Sequence, residues 1–130
     1  MDTGRCRIEH IASEIVDSCI AVHRELGAGL LESVYQACLT QELRDRGLAV
    51  DCEVPVSVRY KGKLLDTGFR ADMLIEEEVI VENKCLQAIL PIHEAQLLTY
   101  LRLSRLRLGF LINWNVLLIK DGIQRRVLNL

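Results

Sequence analysis

The chain has 130 residues, of which 50% are hydrophobic and 26% are charged, so a single domain with a buried core is expected over residues 1–130. Two prolines and eight glycines exclude collagen-like and low-complexity chains. No apolar run approaches the ~18 residues of a membrane helix, and the first ten residues lack the apolar stretch of a signal peptide. A cytoplasmic protein that does not enter a membrane is therefore expected.

The five cysteines include no CxxC pair. A zinc ribbon or finger needs ligands in closely spaced pairs, so this class of metal site is disfavoured. In a chain without an export signal, the cysteines are expected to be reduced thiols that act mostly as small hydrophobic residues.

Charge is unevenly distributed along the chain. The net charge of −2 argues against a strong electrostatic nucleic-acid binder, but residues 95–130 carry +5 and residues 1–94 carry −7. A basic substrate face that includes Arg102 and Arg105 is one hypothesis. Ordinary solvated surface charges are the alternative.

Three helices are predicted. In the first, apolar residues recur every three or four positions along one face, namely Ile8, Ile11, Ile15, Cys19, Val22 and Leu26. Gly27 ends this helix because glycine accepts the left-handed conformation beyond a helix C-terminus. The second helix is predicted over about residues 30–46, with Gly47 as its stop, and the third over about residues 92–104, after Pro91.

Strands are predicted where the apolar period changes to two. Alternation over residues 54–60 predicts a half-buried strand, and a turn at residues 61–63 precedes strands at 69–75 and 79–85. After the third helix, apolar strands are predicted at 106–114 and 115–119, followed by a turn at residues 120–122 and a last short strand. The order ααβββαβββ predicts an α/β or α+β fold in which helices flank a mixed sheet.

The hairpin formed by residues 69–85 has a register set by its apolar residues. With residues 76–78 as the loop, the predicted apolar pairs are Ile75–Val79 and Met73–Val81, and Phe69 and Ala71 share their face. Asp72 then falls directly opposite Glu82 on the other face. Opposed Cβ atoms lie only ~4.5–5.5 Å apart and like charges there repel, so this pair needs a physical reason.

A divalent cation would provide that reason. Mg²⁺ binds oxygen ligands and uses one or two carboxylates together with water. Lys84 lies two residues after Glu82, so its side chain projects from the same face and could stabilise a developing anion beside a metal-bound water. The alternative is a solvated sheet face on which Arg70 and Lys84 neutralise the two carboxylates.

These residues resemble a known family. Asp72 followed by Glu82-Asn83-Lys84 matches the D…(D/E)xK signature of the PD-(D/E)xK nuclease superfamily. Within it, the segment Gly29-Leu30-Leu31-Glu32-Ser33-Val34-Tyr35 matches the motif of the GxxExxY protein family, and residues 91–100 resemble the helix that follows. The resemblance extends from about residue 8 to residue 128.

The resemblance implies a PD-(D/E)xK nuclease-like mixed sheet and a Mg²⁺ (or Mn²⁺) site for phosphodiester cleavage. It identifies Glu32, Asp72 and Glu82 as metal ligands and Lys84 as the catalytic lysine. Gln96 and Tyr100 match a QxxxY element, in which the glutamine supports the site and the tyrosine faces the substrate. Asn83 departs from the family, which has an apolar residue between Glu and Lys.

Three functional hypotheses follow from the sequence. The first is a divalent-metal-dependent nuclease that acts on nucleic acid, DNA ahead of RNA. The second is a catalytically silent module of the same fold that binds nucleic acid or a protein partner. The third is a small subunit that forms a homodimer through its leucine-rich C-terminal half.

Overall fold

The computed structural model describes residues 3–66 and 69–129. The helices in those residues are α1 (Thr3–Leu26), α2 (Glu32–Asp45) and α3 (Pro91–Ser104), with a single 3₁₀ turn at Ile119–Asp121. The strands there are β1 (Val50–Pro55), β2 (Val58–Tyr60), β3 (Lys63–Leu65), β4 (Arg70–Ile75), β5 (Val79–Lys84), β6 (Leu108–Asn113) and β7 (Ile123–Val127). None of these helices is long and apolar enough to cross a bilayer.

Five strands form one mixed sheet in the order β1-β4-β5-β6-β7, and β2 pairs with β3 in a separate two-stranded sheet. Only β5 and β6 are parallel among the paired strands described, because α3 carries the chain back across the sheet between them. The ends of β1, β5 and β6 and the start of β4 therefore lie at one edge of the sheet, which we call the site edge. The β4–β5 turn and the start of β6 lie at the opposite edge.

Apolar clusters cover both faces of the sheet. On one face, α1 and α2 pack against buried side chains of β4, β5 and β6 that include Met73, Val81 and Phe110. On the other face, Leu97 and Leu101 of α3 pack with Ile80 of β5 and its neighbours. The α/β fold class expected from the sequence is thus confirmed, and so is the β4–β5 register, in which Ile75 pairs with Val79 and Met73 with Val81. The expected order ααβββαβββ is wrong, since among the described residues five strands precede α3 and two follow it.

The strand predicted over residues 54–60 is wrong. Val54 belongs to β1 in the main sheet, whereas Val58 begins β2 in the small sheet. One bond follows Pro55, from the Val56 N–H to the Phe69 carbonyl oxygen at 3.0 Å, and the chain then leaves the main sheet. The apparent alternation joined two strands that belong to different sheets.

The strand predicted over residues 115–119 is also wrong. These residues form bends that lead into the 3₁₀ turn, and Leu117 is 95% exposed. The loop closes where the Asn113 N–H donates to the Gly122 carbonyl oxygen at 2.8 Å. This bond joins the end of β6 to the residue before β7, so the intervening residues are left outside the ladder.

Ala71 does not share a face with Met73 and Ile75, contrary to the expectation for β4. Ala71 belongs to the cluster under α3, while Met73 and Ile75 belong to the cluster under α1 and α2. Phe69, predicted on that same face, lies beside Tyr100 of α3 with its ring centroid 6.4 Å away. The side-chain alternation of β4 is therefore interrupted at Asp72.

We predict that Gly122→Ala destabilises the fold strongly. A Cβ atom on Gly122 would lie 2.0 Å from the Asn113 carbonyl oxygen, so the loop closure must shift. We expect a loss of about 2–3 kcal/mol in the free energy of unfolding. Gly47→Ala is the control, because space is open there at a φ of +86° and only the backbone penalty of about 1 kcal/mol applies. Urea unfolding that gives equal losses would contradict the steric argument.

Candidate active site

The carboxylates of Asp72 and Glu82 each accept a main-chain N–H of the other strand, β5 and β4 respectively. The Asp72 N–H donates to Glu82 Oε2 at 2.6 Å, and the Asn83 N–H donates to Asp72 Oδ2 at 2.8 Å. The residue-by-residue pairing of the two strands ends just before, at Met73 and Val81. The two carboxylates therefore accept main-chain N–H groups at the point where strand-to-strand pairing stops.

Burial and mutual repulsion disfavour the ionised forms of this carboxylate pair, Asp72 and Glu82. Glu82 is 3% exposed, and its burial, reinforced by the negative charge of Asp72, raises its pKa to about 8. The pKa of Asp72 is also raised, chiefly by burial, although its bond from the Asn83 N–H opposes the shift. Lys84 lowers the pKa of both groups by its positive charge, which is too little to cancel the burial effect.

The interruption of the sheet at this point extends to β1. Glu53 is unpaired between the Cys52–Met73 and Val54–Ala71 pairs. Its φ of +54° is a left-handed conformation that is uncommon for a residue other than glycine. Cys52 contacts Thr40 of α2, whereas Val54 lines a cavity on the α3 side. The alternation of β1 therefore also reverses, and the Glu53 carboxylate is placed on the α2 side of the sheet.

Gln36 of α2 connects the strands at this interruption. Its Nε2 donates to Glu53 Oε1 at 2.9 Å and to the Asp72 carbonyl oxygen at 3.4 Å, while its Oε1 accepts from Asn83 Nδ2 at 3.4 Å. One amide side chain thus contacts three strands. Gln36 therefore holds the Asp72 carbonyl oxygen together with the side chains of Glu53 and Asn83.

Asn83 is a buried polar residue whose side chain is bonded at both ends. It is 1% exposed. Its Oδ1 accepts from Trp114 Nε1 at 2.9 Å, and its Nδ2 also contacts Met73 Sδ at 3.2 Å. Asn83, which replaces the apolar residue of the family that the chain resembles, therefore has hydrogen-bond partners in the core and does not leave a packing defect. Trp114 is fully buried.

Tyr35 links this core contact to the loop that precedes α2. Its ring stacks on Trp114 with centroids 4.8 Å apart and an interplanar angle of 6°. Its hydroxyl donates to the Gly27 carbonyl oxygen at 2.6 Å and accepts from the Leu30 N–H at 3.2 Å. Gly29, with a φ of +100°, completes the turn. The motif at residues 29–35 thus fixes where α2 begins, and its first residue is Glu32.

The structure places Glu32, Lys84 and Tyr100 around the carboxylate pair. Glu32 lines the same cleft as Asp72 and raises the pKa of Asp72 by its negative charge. The pKa of Tyr100, on α3, is raised by burial and by the charges of Glu82 and Asp72. Lys84, Glu32 and Tyr100 therefore all interact electrostatically with the pair, from β5, α2 and α3.

The other predicted site residues lie further from the pair. Gln96 is partly buried on α3, one turn before Tyr100, and forms no hydrogen bond to a carboxylate within residues 3–66 and 69–129. Arg102 is exposed in the last turn of α3. Arg105 lines a pocket with Glu78 and Gly4. Since α3 runs away from the site edge, the structure places both arginines towards the opposite edge.

The cleft beside Asp72 has a volume of about 560 Å³ and is lined mainly by polar side chains of α2 and β1. Gln36 and Glu53, which line it with Glu32, were missed by the sequence analysis. A signal for Gln36 was present, because it lies four residues after Glu32 on the same helix face. Glu53 gave no such signal, since a regular strand would direct it to solvent.

The donor atoms fit a hard divalent cation. Within the described residues, Asp72 Oδ1 and Glu82 Oε1 accept no hydrogen bond, so each carboxylate keeps one oxygen for a ligand. Two carboxylates with water are a ligand set that Mg²⁺ accepts. No three His, Cys, Asp or Glu side chains in the described part of the chain are grouped closely enough to hold one ion. Glu32 is thus not assembled with the pair into a three-residue site.

The chain is similar to a known protein family. Residues 9–126 match the family model of the PD-(D/E)XK nuclease superfamily. The matched region includes α2, the β4–β5 hairpin and α3, which carry the residues described above. Comparisons with curated proteins and with solved structures give no match.

We predict that the metal-free protein becomes less stable as pH rises from about 5 to 8. The folded protein keeps a proton on Glu82 up to about pH 8, whereas the unfolded chain loses it near pH 4.5. Stability is therefore lost as pH rises through this window, by up to about 5 kcal/mol. Thermal melts in EDTA should show this slope in the wild type. Glu82→Gln should flatten it, and an unchanged slope in that variant would contradict the burial effect.

Proposed function

Because the chain belongs to the PD-(D/E)XK nuclease superfamily, we propose that it is a divalent-metal-dependent nuclease that hydrolyses phosphodiester bonds in nucleic acid, DNA ahead of RNA. The observation that carries the proposal is the Asp72–Glu82 pair, held in a gap of the sheet with Lys84 two residues away. We also propose, from the motif at residues 29–35, that it belongs to the GxxExxY family.

Asp72 and Glu82 would hold the metal through the oxygens that the main chain leaves free. Glu32, at the same cleft, would complement them. When bound, Mg²⁺ or Mn²⁺ would supply charge neutralisation at the phosphate and an acidified water. Metal binding would also displace the proton that burial retains on Glu82, so metal affinity is expected to rise with pH.

Lys84 is proposed as the catalytic cation of the site. Its ammonium group lies close enough to the carboxylate pair to lower the pKa of both members. An ammonium in this position can donate from Nζ to a phosphate oxygen or to the attacking water, and this interaction strengthens as negative charge develops. Tyr100 and Gln96 would line the α3 side of the substrate.

The silent-module hypothesis remains the competing proposal, because no three-residue ligand group is assembled in the described part of the chain. The two proposals differ in the role of Lys84. In a nuclease, Lys84 acts on the transition state. In a silent module, it only offsets the negative charge of the pair.

We predict that Lys84→Ala reduces cleavage by ~10²-fold or more, the scale for removal of one electrostatic stabiliser, with little change in metal binding. Asp72→Asn should abolish cleavage and most of the Mn²⁺-induced rise in melting temperature, because an ion that binds only the native state stabilises it. Lys120→Ala, at an exposed lysine of the β6–β7 loop, is the matched control.

The measurement uses a panel of fluorescent DNA and RNA oligonucleotides with Mg²⁺ or Mn²⁺. Cleavage that survives equally in Lys84→Ala would show that the assigned site is wrong. If Mn²⁺ stabilises the wild type and not Asp72→Asn but no oligonucleotide is cut, the silent-module proposal is favoured.

A further inference from the structure

The β2–β3 hairpin, residues 58–65, is the most basic exposed segment beside the site. It contains Arg59, Lys61 and Lys63 and no acidic residue. Its two strands pair only with each other among the described residues, and all of its residues except Val58 are exposed. We call this segment the basic hairpin.

The basic hairpin leaves the main sheet at the site edge. Pro55, at the end of β1, pairs with Arg70, at the start of β4, and the hairpin is inserted between these two strands. The edge is shared with Lys84 because β4 and β5 are antiparallel. At its base, Phe69 contacts Tyr100, whose pKa is raised in part by the charges of the carboxylate pair. The hairpin base and the pair therefore lie near the same tyrosine.

An exposed aromatic ring lies between two lysines on the hairpin. Tyr60 pairs with Lys63 across the strands, so their side chains share a face. Lys61 Nζ lies 5.5 Å from the centroid of the Tyr60 ring, and Tyr60 is 61% exposed. A ring that offers its surface to solvent beside two ammonium groups has the chemistry that recognises an unpaired base and its flanking phosphates.

In the turn of the basic hairpin, Lys61 occupies a position with a strained backbone conformation. Lys61 and Gly62 have φ values of +49° and +80°, the conformation of a two-residue turn with positive φ at both central positions. Asn or Gly is preferred at the first of these positions, because a long side chain there is disfavoured. The residue found is instead a lysine whose ammonium lies beside Tyr60.

The C-terminal basic segment is less available for such a role. Arg125 pairs with Glu9, and Arg126 pairs with Glu94. Arg105 lies towards the edge opposite the site. The cleft is lined by three carboxylates, of Glu32, Glu53 and Asp72, and by one cation, Arg44. It is therefore acidic overall, and a polyanionic strand needs positive charge from another part of the site edge. The basic hairpin supplies three such charges.

We propose that the basic hairpin is a docking surface for single-stranded nucleic acid, with a base stacked on Tyr60 and the neighbouring phosphates held by Lys61, Lys63 and Arg59. Single strands are favoured over a duplex because the face of Tyr60 can stack only on a base whose own face is free. The substrate class rests on the proposed function, but binding itself does not require cleavage.

The test is fluorescence anisotropy of a labelled single-stranded 20-mer of thymidine in EDTA, so that binding is measured without cleavage. Lys61→Asn should leave the melting temperature unchanged or raise it, because asparagine suits the turn, yet weaken binding several-fold. It should also make the slope of log affinity against log salt less steep by about 0.7, the value for one phosphate contact to a single strand.

Tyr60→Ser should weaken binding by roughly 5- to 100-fold, the range for removal of one stacked base, and Tyr60→Phe should restore it. Arg107→Asn, an exposed charge at the start of β6 on the opposite edge, should change binding little. A duplex of the same length should bind more weakly and respond less to Tyr60→Ser.

Three results would overturn the docking surface. They are no binding by the wild type, unchanged binding in both Lys61→Asn and Tyr60→Ser, or an equal loss in Arg107→Asn. Its failure is separable from failure of the proposed function. Cleavage that depends on Lys84 without any hairpin effect leaves the nuclease standing, whereas hairpin-dependent binding without cleavage in Mn²⁺ leaves only the docking surface.

Discussion

The reciprocal bonding of Asp72 and Glu82 is the constraint around which the site is organised. Two like charges at opposed positions of a sheet repel each other, and burial adds the desolvation of Glu82. The structure offsets this by giving each carboxylate a main-chain N–H of the other strand. Those N–H groups are available only because strand pairing stops at Met73 and Val81. The break in the sheet and the acidic pair therefore stabilise each other.

The break in the sheet is stabilised by side chains that pack against it from α2 and from the core. Gln36 provides that support by hydrogen bonds to three strands, and Asn83 connects Gln36 to Trp114. Trp114 is in turn stacked on Tyr35, whose hydroxyl closes the loop before α2. The motif of the first loop thus reaches the carboxylate pair through a continuous series of side-chain contacts. The buried side chain of Asn83 is tolerated because its amide N–H group and its carbonyl oxygen both have hydrogen-bond partners.

The sequence predicted the arrangement where the strands are regular and failed where that regularity ends. The β4–β5 register was predictable because a loop at residues 76–78 brings the apolar run 73–75 opposite the apolar run 79–81. Alternation fails at Asp72 and Glu53, so Ala71 faces α3 and the position of the Glu53 carboxylate could not be inferred. The error over residues 54–60 has a similar origin, because the alternation of apolar and polar residues continues from β1 of the main sheet into β2 of the small sheet. Residues 115–119 are mostly apolar, although Leu117 and Leu118 are exposed, and no local pattern distinguishes this segment from a strand.

The site edge has two parts that need opposite charge, namely the acidic cleft and the basic hairpin. The cleft must be acidic to hold a cation, and an acidic surface by itself repels a polyanion over about a Debye length. A bound metal would cancel only the charge it contacts, so a strand of nucleic acid needs a separate region of positive charge outside the cleft. The basic hairpin meets this requirement without weakening the metal site, because it belongs to a different sheet and is connected to the pair through Phe69 and Tyr100.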